Sequence, residues 1–315
     1  MNFLITAIGS MSSECVISSL KKNNNTKIIG CDIYPKDWIA TSMMVDRFYQ
    51  IPKSLDSESF INALIKIVRT ESVDLIIPLT DPEVDVLSQN VDYFKSLNIT
   101  IATMNKNIVE VVRNKYNLFE RLKDKVNFIP TYECSGIDNN LGFPLIFKPK
   151  TGRSSEGIFK AFNRFDKNYF LNKIVKENYI VQPFLEGSII TVDFIRSEMS
   201  KRSFSVVREE LLRTINGAGT TVRVVKIDEV SDICSSIGDE LNINGTINFE
   251  FLEHKGKYLL MDINPRFSAG IAFSNLTGFD FVNNHVKCFI GEDIDGSIEY
   301  ERKFIYKRYN EIEKH

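Results

Sequence analysis

The sequence predicts two successive units. A doubly wound, Rossmann-like α/β unit spans residues 1–105, and an α+β unit spans residues 106–315. The first reading rests on a regular alternation of apolar runs with amphipathic stretches, which demands right-handed crossovers and a parallel sheet. The second rests on a change of rhythm. From about Phe128 strand pairs dominate, and only two helical stretches interrupt them.

Taken in order, FLITAIG is an apolar strand ending at Gly9, and SSECVISSLKK follows with helical spacing. KIIGCDI is a second strand. ESFINALIKIVRTES sets Phe60, Leu64, Ile67 and Val68 on one helical face. VDLIIPLT is a third strand. PEVDVLSQNVDYFKSL reads as a single helix with Asp81 as N-cap and Pro82 at its first position, before the strand ITIAT. A long helix is predicted over residues 107–125. Beyond it FPLIFKPK, EGIFKAF, NYIVQPF, SIITVDFI, SFSVVREEL and TTVRVVKI read as strands, with helices near 167–177 and 230–241. TINFEFLEHKGKYLLMDINPRF is a hairpin turning at 254–257.

Composition narrows the function classes. A formal net charge of −2 offers no general attraction for nucleic acid or an anionic membrane, so neither is expected as a partner. No apolar run reaches the ~20 residues of a membrane span, and the N-terminus lacks the basic region of a signal peptide. The five cysteines (Cys15, Cys31, Cys134, Cys234, Cys288) form no CxxC pair. A cytoplasmic chain with reduced, mostly buried thiols is expected. His254, His285 and His315 lack ligand spacing, which argues against a histidine triad or zinc site. A homodimer is the expected assembly.

The hairpin carries the sharpest chemical expectation. If Lys255, Gly256 and Lys257 form a three-residue loop, Glu250 opposes Asp262, Phe251 opposes Met261 and Phe249 opposes Ile263. Phe249, Phe251, Met261 and Ile263 then share an apolar face, and Glu250, Asp262 and Asn264 share the other. Opposed carboxylates repel unless a hard cation sits between them, and carboxylate and amide oxygens suit magnesium. Arg266 follows, placed to meet a transferring phosphoryl group. The alternatives are a solvated sheet face, or a two-residue turn that puts the acids on opposite faces.

Three further segments add candidates. FPLIFKPKTGRSSEGIF delivers Lys148 and Lys150 to a turn containing Gly152, Ser154, Ser155 and Gly157, whose backbone N–H groups can cradle phosphate oxygens or form an ordinary polar turn. NYIVQPFLEGSIITVDF bends around Pro183 and Gly187, where Gln182 could read the exocyclic amine of a planar base. VVREELLRTINGAGTTVRVV sets Arg208, Arg213 and Arg223 around a glycine-bearing loop, suited to a small anionic substrate or to plain surface charge. Thr80, Asp81 and Glu83 follow the third strand, where a parallel sheet offers ligand contacts.

Together these segments resemble the ATP-grasp superfamily, in particular its carboxylate–amine ligases and the synthetase units of carbamoyl-phosphate synthase large chains. The resemblance is carried by NKYNLFERL, FPLIFKPKTGRSSEGIF, IVQPFLEG, REELLRTINGAGTTV, INFEF and MDINPR, with ATSMMVDRFYQIPK and VDLIIPLTDPE in the pre-grasp unit. It implies a lid subdomain over about 112–183 with a glycine-rich flap, and a central subdomain over 184–315 with the metal site. It implies ATP with two magnesium ions, for which manganese can substitute, and small carboxylate and amine substrates. It implies that Lys115 and Lys148 hold phosphates and that Gly152, Ser154, Ser155 and Gly157 cover them. Gln182, Phe184, Leu185 and Glu186 would surround adenine. Glu250, Asp262 and Asn264 would hold metal, and Arg266 with Lys148 would serve the transferred phosphoryl group. The sequence departs from the family at Ile189, where an acid that holds the ribose is common. The implied reaction forms an acyl phosphate that an amine attacks, releasing ADP. Two other readings remain. Gly9 and Asp32 echo a dinucleotide-dependent oxidoreductase, although TAIGSMSSE lacks GxGxxG. A nucleotide sensor without turnover is the other.

Overall fold

The computed structural model describes residues 1–136, 141–152, 156–300 and 305–308. The first unit contains β1 (Asn2–Ile5), α1 (Ser13–Lys21), β2 (Lys27–Asp32), β3 (Arg47–Gln50), α2 (Ser57–Glu71), β4 (Leu75–Ile77), α3 (Asp81–Ser88), α4 (Val91–Ser96) and β5 (Thr100–Ile101). Its strands form one sheet in the order β3-β2-β1-β4-β5, and all four pairings are parallel. Successive residues of β1 feed opposite cores. Phe3 and Ile5 pack with Val16, Ile17 and Leu20 of α1, whereas Leu4 packs with Phe60, Leu64, Ile67 and Val68 of α2. The edge strand β3, half exposed and without a strong apolar run, was not among the expected elements.

Two expected helices are broken, the second at a capping asparagine. PEVDVLSQNVDYFKSL makes α3 and α4 rather than one helix. Its N-cap is Thr80, not Asp81, and Asp81 lies inside the first turn with its carboxylate turned toward Arg266. The helix expected over 107–125 is α5 (Lys106–Arg113) and α6 (Lys115–Leu122). At Asn114 the backbone turns extended (φ −109°, ψ 110°), and its side chain accepts from Tyr116 N and Asn117 N. Capping competes successfully with continuation because an asparagine oxygen satisfies amides that would otherwise be orphaned.

The lid sheet comprises β6 (Tyr132–Glu133), β7 (Leu145–Pro149), β8 (Phe159–Ala161) and β9 (Tyr179–Pro183), in the order β6-β9-β7-β8, with α7 (Arg164–Leu171) between β8 and β9. Leu145, Phe147, Ala161 and Val181 form its small core. Helix α7 starts earlier than the expected 167 because Asn163 caps it, its side chain accepting from Asp166 N.

The third sheet is antiparallel throughout, in the order β14-β13-β10-β11-β12-β15. Its strands are β10 (Ser188–Arg196), β11 (Ser203–Arg213), β12 (Gly219–Val225), β13 (Gly245–His254), β14 (Lys257–Asn264) and β15 (Ile305–Lys307), accompanied by α8 (Asp228–Glu240), α9 (Ile271–Asn275) and α10 (Phe281–Ile290). Val192, Phe194, Phe249, Phe251, Leu260 and Ile263 cover one face of this sheet with apolar side chains. Val230, Cys234 and Ile237 of α8 and Val109 and Val112 of α5 pack in the same cluster. The opposite face is polar. His285 of α10 joins this sheet to the first unit, since Thr246 N donates to its Nδ1 (2.9 Å) and its Nε2 lies 3.2 Å from Ala102 O. Burial pulls the His285 pKa down to about 4, which fits the neutral ring this bonding requires.

The β13–β14 hairpin corrects the expected turn. His254 pairs with Lys257, so the turn has two central residues, Lys255 (φ 52°) and Gly256 (φ 74°), both with the positive φ that such a turn needs. That register alone would put Asp262 out of phase with Glu250. A bulge restores the pairing: Phe251 opposes Leu260 rather than Met261, and Glu250 still opposes Asp262. Met261 is the extra residue, and it joins Asp262 on the cavity side instead of the apolar face expected for it.

Candidate active site

The polar face of the third sheet is a grid set by strand register. Asp262, Glu250, Thr191 and Arg208 are successive cross-strand partners over β14, β13, β10 and β11. Asn264, Asn248 and Asp193 form the next row along the same strands. Side chains alternate with period two, so both rows face one way. A cavity of about 490 Å³ lies over this face. Lys148 and Gly152 border it from the lid, Ser10 and Ser12 from the loop after β1, Thr80 and Asp81 from the end of β4, and Thr214, Asn216 and Gly217 from the loop between β11 and β12.

The carboxylates are bracketed by cations. Lys115 Nζ is 3.0 Å from Asp262 Oδ2, and Arg213 Nη2 is 3.4 Å from Glu250 Oε2. Burial pushes the Glu250 carboxyl above its usual range, with Asp262 adding to the shift and Arg213 opposing it. Lys148 is only 8% exposed, and burial pulls its ammonium down to about 8, with the like charge of Lys115 adding to the effect. The backbone N–H of Lys115 donates to Lys150 O (2.8 Å), which ties the start of α6 to the lid strand.

Arg266 joins the grid to the first unit. Its Nη2 donates to Asp81 Oδ2 (3.0 Å) and Asn264 Oδ1 (3.3 Å), and its Nη1 to Phe267 O (3.1 Å). Asp81 is 2% exposed and also lies 3.7 Å from Arg113, which is held in turn by Asp85. Burial alone would raise the Asp81 carboxyl, but the Arg266 and Arg113 guanidiniums outweigh it and hold it below the usual range.

Several expected site residues lie elsewhere. Arg208 lines the cavity but is 1% exposed, and its donors go to Asp193, Thr191, Ser268, Ser274 and Gly270 O. It braces the site from below rather than offering a free cation. Arg223 is one residue out of phase. It pairs with Glu209 (2.8 Å) on the other face of β11 and does not line the cavity. Arg213 reaches the cavity because the β11–β12 ladder shifts register between Glu210 and Arg213. Glu83 turns inward at 5% exposure and accepts from Thr6 Oγ1 (2.9 Å) and Thr80 Oγ1 (2.8 Å). Burial raises it to about 7, and it does not line the cavity.

Gln182, Phe184, Leu185 and Glu186 lie at the passage from the lid sheet to β10, outside this cavity's lining. Gln182 is 4% exposed. Its Nε2 donates to Thr131 Oγ1 (2.8 Å), and its Oε1 is buried with no partner among the described residues. Lys160 Nζ sits 4.1 Å from the Phe184 ring centroid. The Glu186 carbonyl bonds His254 Nδ1 (2.7 Å). Gly157 has φ +70° and packs against Pro149 and Tyr179, and Gly152 O accepts from Arg113 (3.4 Å). Ser154 and Ser155 lie outside the described residues.

Sequence reasoning missed Thr191, Asp193, Asn248 and Glu210. The signal was present in SIITVDFI and TINFEF, where polar residues interrupt apolar strands at the period of one sheet face. It also read Gly9 and Asp32 as an echo of a dinucleotide site. Asp32 instead accepts from Gly9 N (2.8 Å) and Tyr34 N (3.1 Å), so its carboxylate organises the loop after β1.

A parallel-sheet unit followed by a lid sheet and a six-stranded sheet over one acid- and lysine-lined cavity defines an ATP-grasp architecture. Residues 176–312 match the family described as ATP-grasp in the biosynthetic pathway with Ter operon, and residues 3–102 match the PylC-like N-terminal domain. The carbamoyl phosphate synthase large chain of Clostridium perfringens is 24% identical over 167 residues, 49% of this chain and 16% of that one. This chain therefore spans a small part of that relative's length. Among solved structures, the biotin carboxylase domain of the 2-oxoglutarate carboxylase of Hydrogenobacter thermophilus, bound to MgADP, ADP and bicarbonate, superposes with a TM-score of 0.77 at 17% identity, covering 96% of this chain and 72% of that one. The N5-carboxyaminoimidazole synthetase of Staphylococcus aureus gives 0.76 at 18% identity, covering 95% and 79%. Residues 176–312 thus match an ATP-grasp family, and the fold is similar to that of the biotin carboxylase and N5-carboxyaminoimidazole synthetase structures. Among the described residues no helix is long and apolar enough to cross a membrane.

Proposed function

We propose that the cavity binds ATP with magnesium and activates a small carboxylate as an acyl phosphate, which an amine attacks with release of ADP and phosphate. The observation that carries this reading is the placement of Glu250 beside Asp262 on one sheet face, with Lys115, Lys148 and Arg266 around them. The residues present fit a phosphate-bound ion. Two carboxylates and the Asn264 amide are hard oxygen donors, and no cluster of three or more His, Cys, Asp or Glu occurs among the described residues to cage a metal by itself.

Glu250, Asp262 and Asn264 would hold the metal, as two ions, with manganese as a substitute. Bound there, the metal supplies charge neutralisation and orientation of phosphate oxygens. Lys115 would leave Asp262 for phosphate, and Lys148 would add a buried positive charge. Arg266, steadied by Asp81, would meet the developing charge on the transferred group. Gly152 and Gly157, with Ser154 and Ser155, would cover the phosphates and exclude water. At the lid passage, the unpartnered Gln182 Oε1 is available to a purine amine, with Phe184, Leu185 and Glu186 beside it.

Residues 1–105 would act as a pre-grasp unit, 112–183 as the lid and 184–315 as the central subdomain, in a cytoplasmic protein and as a homodimer. A coupled ADP-release screen over amino acids and small carboxylates, in pairs, tests the function. Steady ADP release with one pair separates a ligase from a sensor without turnover. Near-normal release from Asp262→Asn would contradict the metal assignment.

A further inference from the structure

Both carboxylate oxygens of Asp262 are engaged from within the chain. Oδ1 accepts from Ile263 N (3.1 Å), and Oδ2 meets Lys115 Nζ at 3.0 Å. Both side chains are half-buried, so little water screens the pair. On the next strand Glu250 faces Arg213 Nη2 at 3.4 Å. Each of the two acids proposed to hold metal is therefore met by a cation that the protein supplies. Such a charge offsets the repulsion that the hairpin register creates between opposed carboxylates.

Lys115 has few other places to put its charge. Its backbone N–H is fixed on Lys150 O (2.8 Å), and Asn114 caps the helix that it begins. Its neighbour Lys148 is buried, and burial together with the like charge of Lys115 already pulls that ammonium down to about 8. Leaving two ammonium groups here without an anion is costly. Among the described residues the cavity lining carries as many basic as acidic side chains. A bare divalent cation would tip that balance, whereas the phosphates of a nucleotide would bring the anion that a displaced Lys115 needs.

We propose that Lys115 is a built-in counter-ion that keeps the metal's place on Asp262 and yields it only to phosphate, so that the cavity takes a divalent cation together with a nucleotide and discriminates against the cation alone. This rests on the nucleotide and metal assignment above. Metal and ammonium compete for one carboxylate, and carboxylate and phosphate compete for one ammonium. Phosphate that draws Lys115 away frees Asp262, so cation and nucleotide bind with positive coupling.

The experiment counts free Mn2+ by electron paramagnetic resonance against the full chain, beside calorimetric titration with MnADP. Lys115→Met should bind Mn2+ alone roughly tenfold or more tighter than the unaltered chain, because a cation in contact with Asp262 is gone. The same variant should bind MnADP more weakly. Opposite changes in the two affinities mark an exchange, since a merely structural defect would weaken both. Lys115→Arg keeps the charge and should gain clearly less Mn2+ affinity than Lys115→Met. On the unaltered chain, ADP should raise bound Mn2+ above the sum held by chain and ADP separately, and this arm stands even if the variants do not fold. The proposal is overturned if Lys115→Met gains no Mn2+ affinity, if it keeps full MnADP affinity, if Lys115→Arg gains as much as Lys115→Met, or if Mn2+ and ADP bind the unaltered chain additively. The ligase reading fails by a different result: the exchange is observed while no acid–amine pair gives ADP release.

Discussion

The six-stranded sheet and the five-stranded sheet border the same cavity by different means. In the six-stranded sheet the polar residues sit inside regular strands: Asp262, Glu250, Thr191 and Arg208 form one row, with apolar residues between them facing the helices. The five-stranded sheet is apolar on both faces and contributes Ser10, Ser12, Thr80 and Asp81 only beyond its strand ends. An antiparallel sheet with one covered face can place chemistry on every second residue, whereas a parallel sheet buried on both faces must place it in its loops. The first arrangement depends on register and the second on loop shape.

Four measurements sharpen that contrast. The largest effect is expected at the grid. Asp262→Asn should lower ADP release by about a thousandfold, since it removes a carboxylate that would hold the metal, whose charge neutralisation is worth several kcal/mol in the transition state. In a steady-state assay Thr80→Ala, on the loop side, should cost clearly less. Equal losses would erase the distinction between the two walls.

Next comes the apolar side of the same strand. Phe249 is fully buried and adjoins Glu250, so Phe249→Ala should cost about 3–5 kcal/mol in urea unfolding. A loss under about 1 kcal/mol would show that the core behind the grid is loosely packed.

Glu83 tests the parallel sheet by pH. Its carboxyl is raised by burial to about 7 from the ordinary 4.5, so the folded chain binds a proton that the unfolded chain releases. This contribution to stability is full below pH 4.5 and is lost as pH rises through 7, by about 3 kcal/mol in total. Glu83→Gln should remove that slope, and thermal unfolding of both chains across this pH window measures the difference.

The smallest effect belongs to the cap. Asn114→Ala removes the oxygen that starts α6, and about 1 kcal/mol of stability should go with it. Because Lys115 begins that helix and contacts Asp262, MgADP affinity should fall as well. Unchanged affinity would separate the cap from the site.

Much of the architecture was legible in the sequence. The strand–helix alternation of the first unit, the apolar stripe Phe60, Leu64, Ile67 and Val68, and the change to strand pairs near Phe128 each follow from local periodicity, which the folded chain keeps. The break at Asn114 was harder to read. An asparagine caps or continues a helix according to what the next turn packs against, and the local pattern is the same either way.

The amino-acid sequence by itself determined which residues alternate, and therefore that Glu250 and Phe249 must face opposite ways. It did not determine that Asp262 would meet Glu250, because a two-residue turn and a bulge at Met261 each shift the register by one, and only together do they cancel. Nor did it separate Arg208, Arg213 and Arg223, three arginines in one short stretch, into a buried brace, a cavity neighbour and a residue on the far face. Those outcomes belong to the tertiary structure, since partner strands decide register and burial decides which charge must be answered from within the protein.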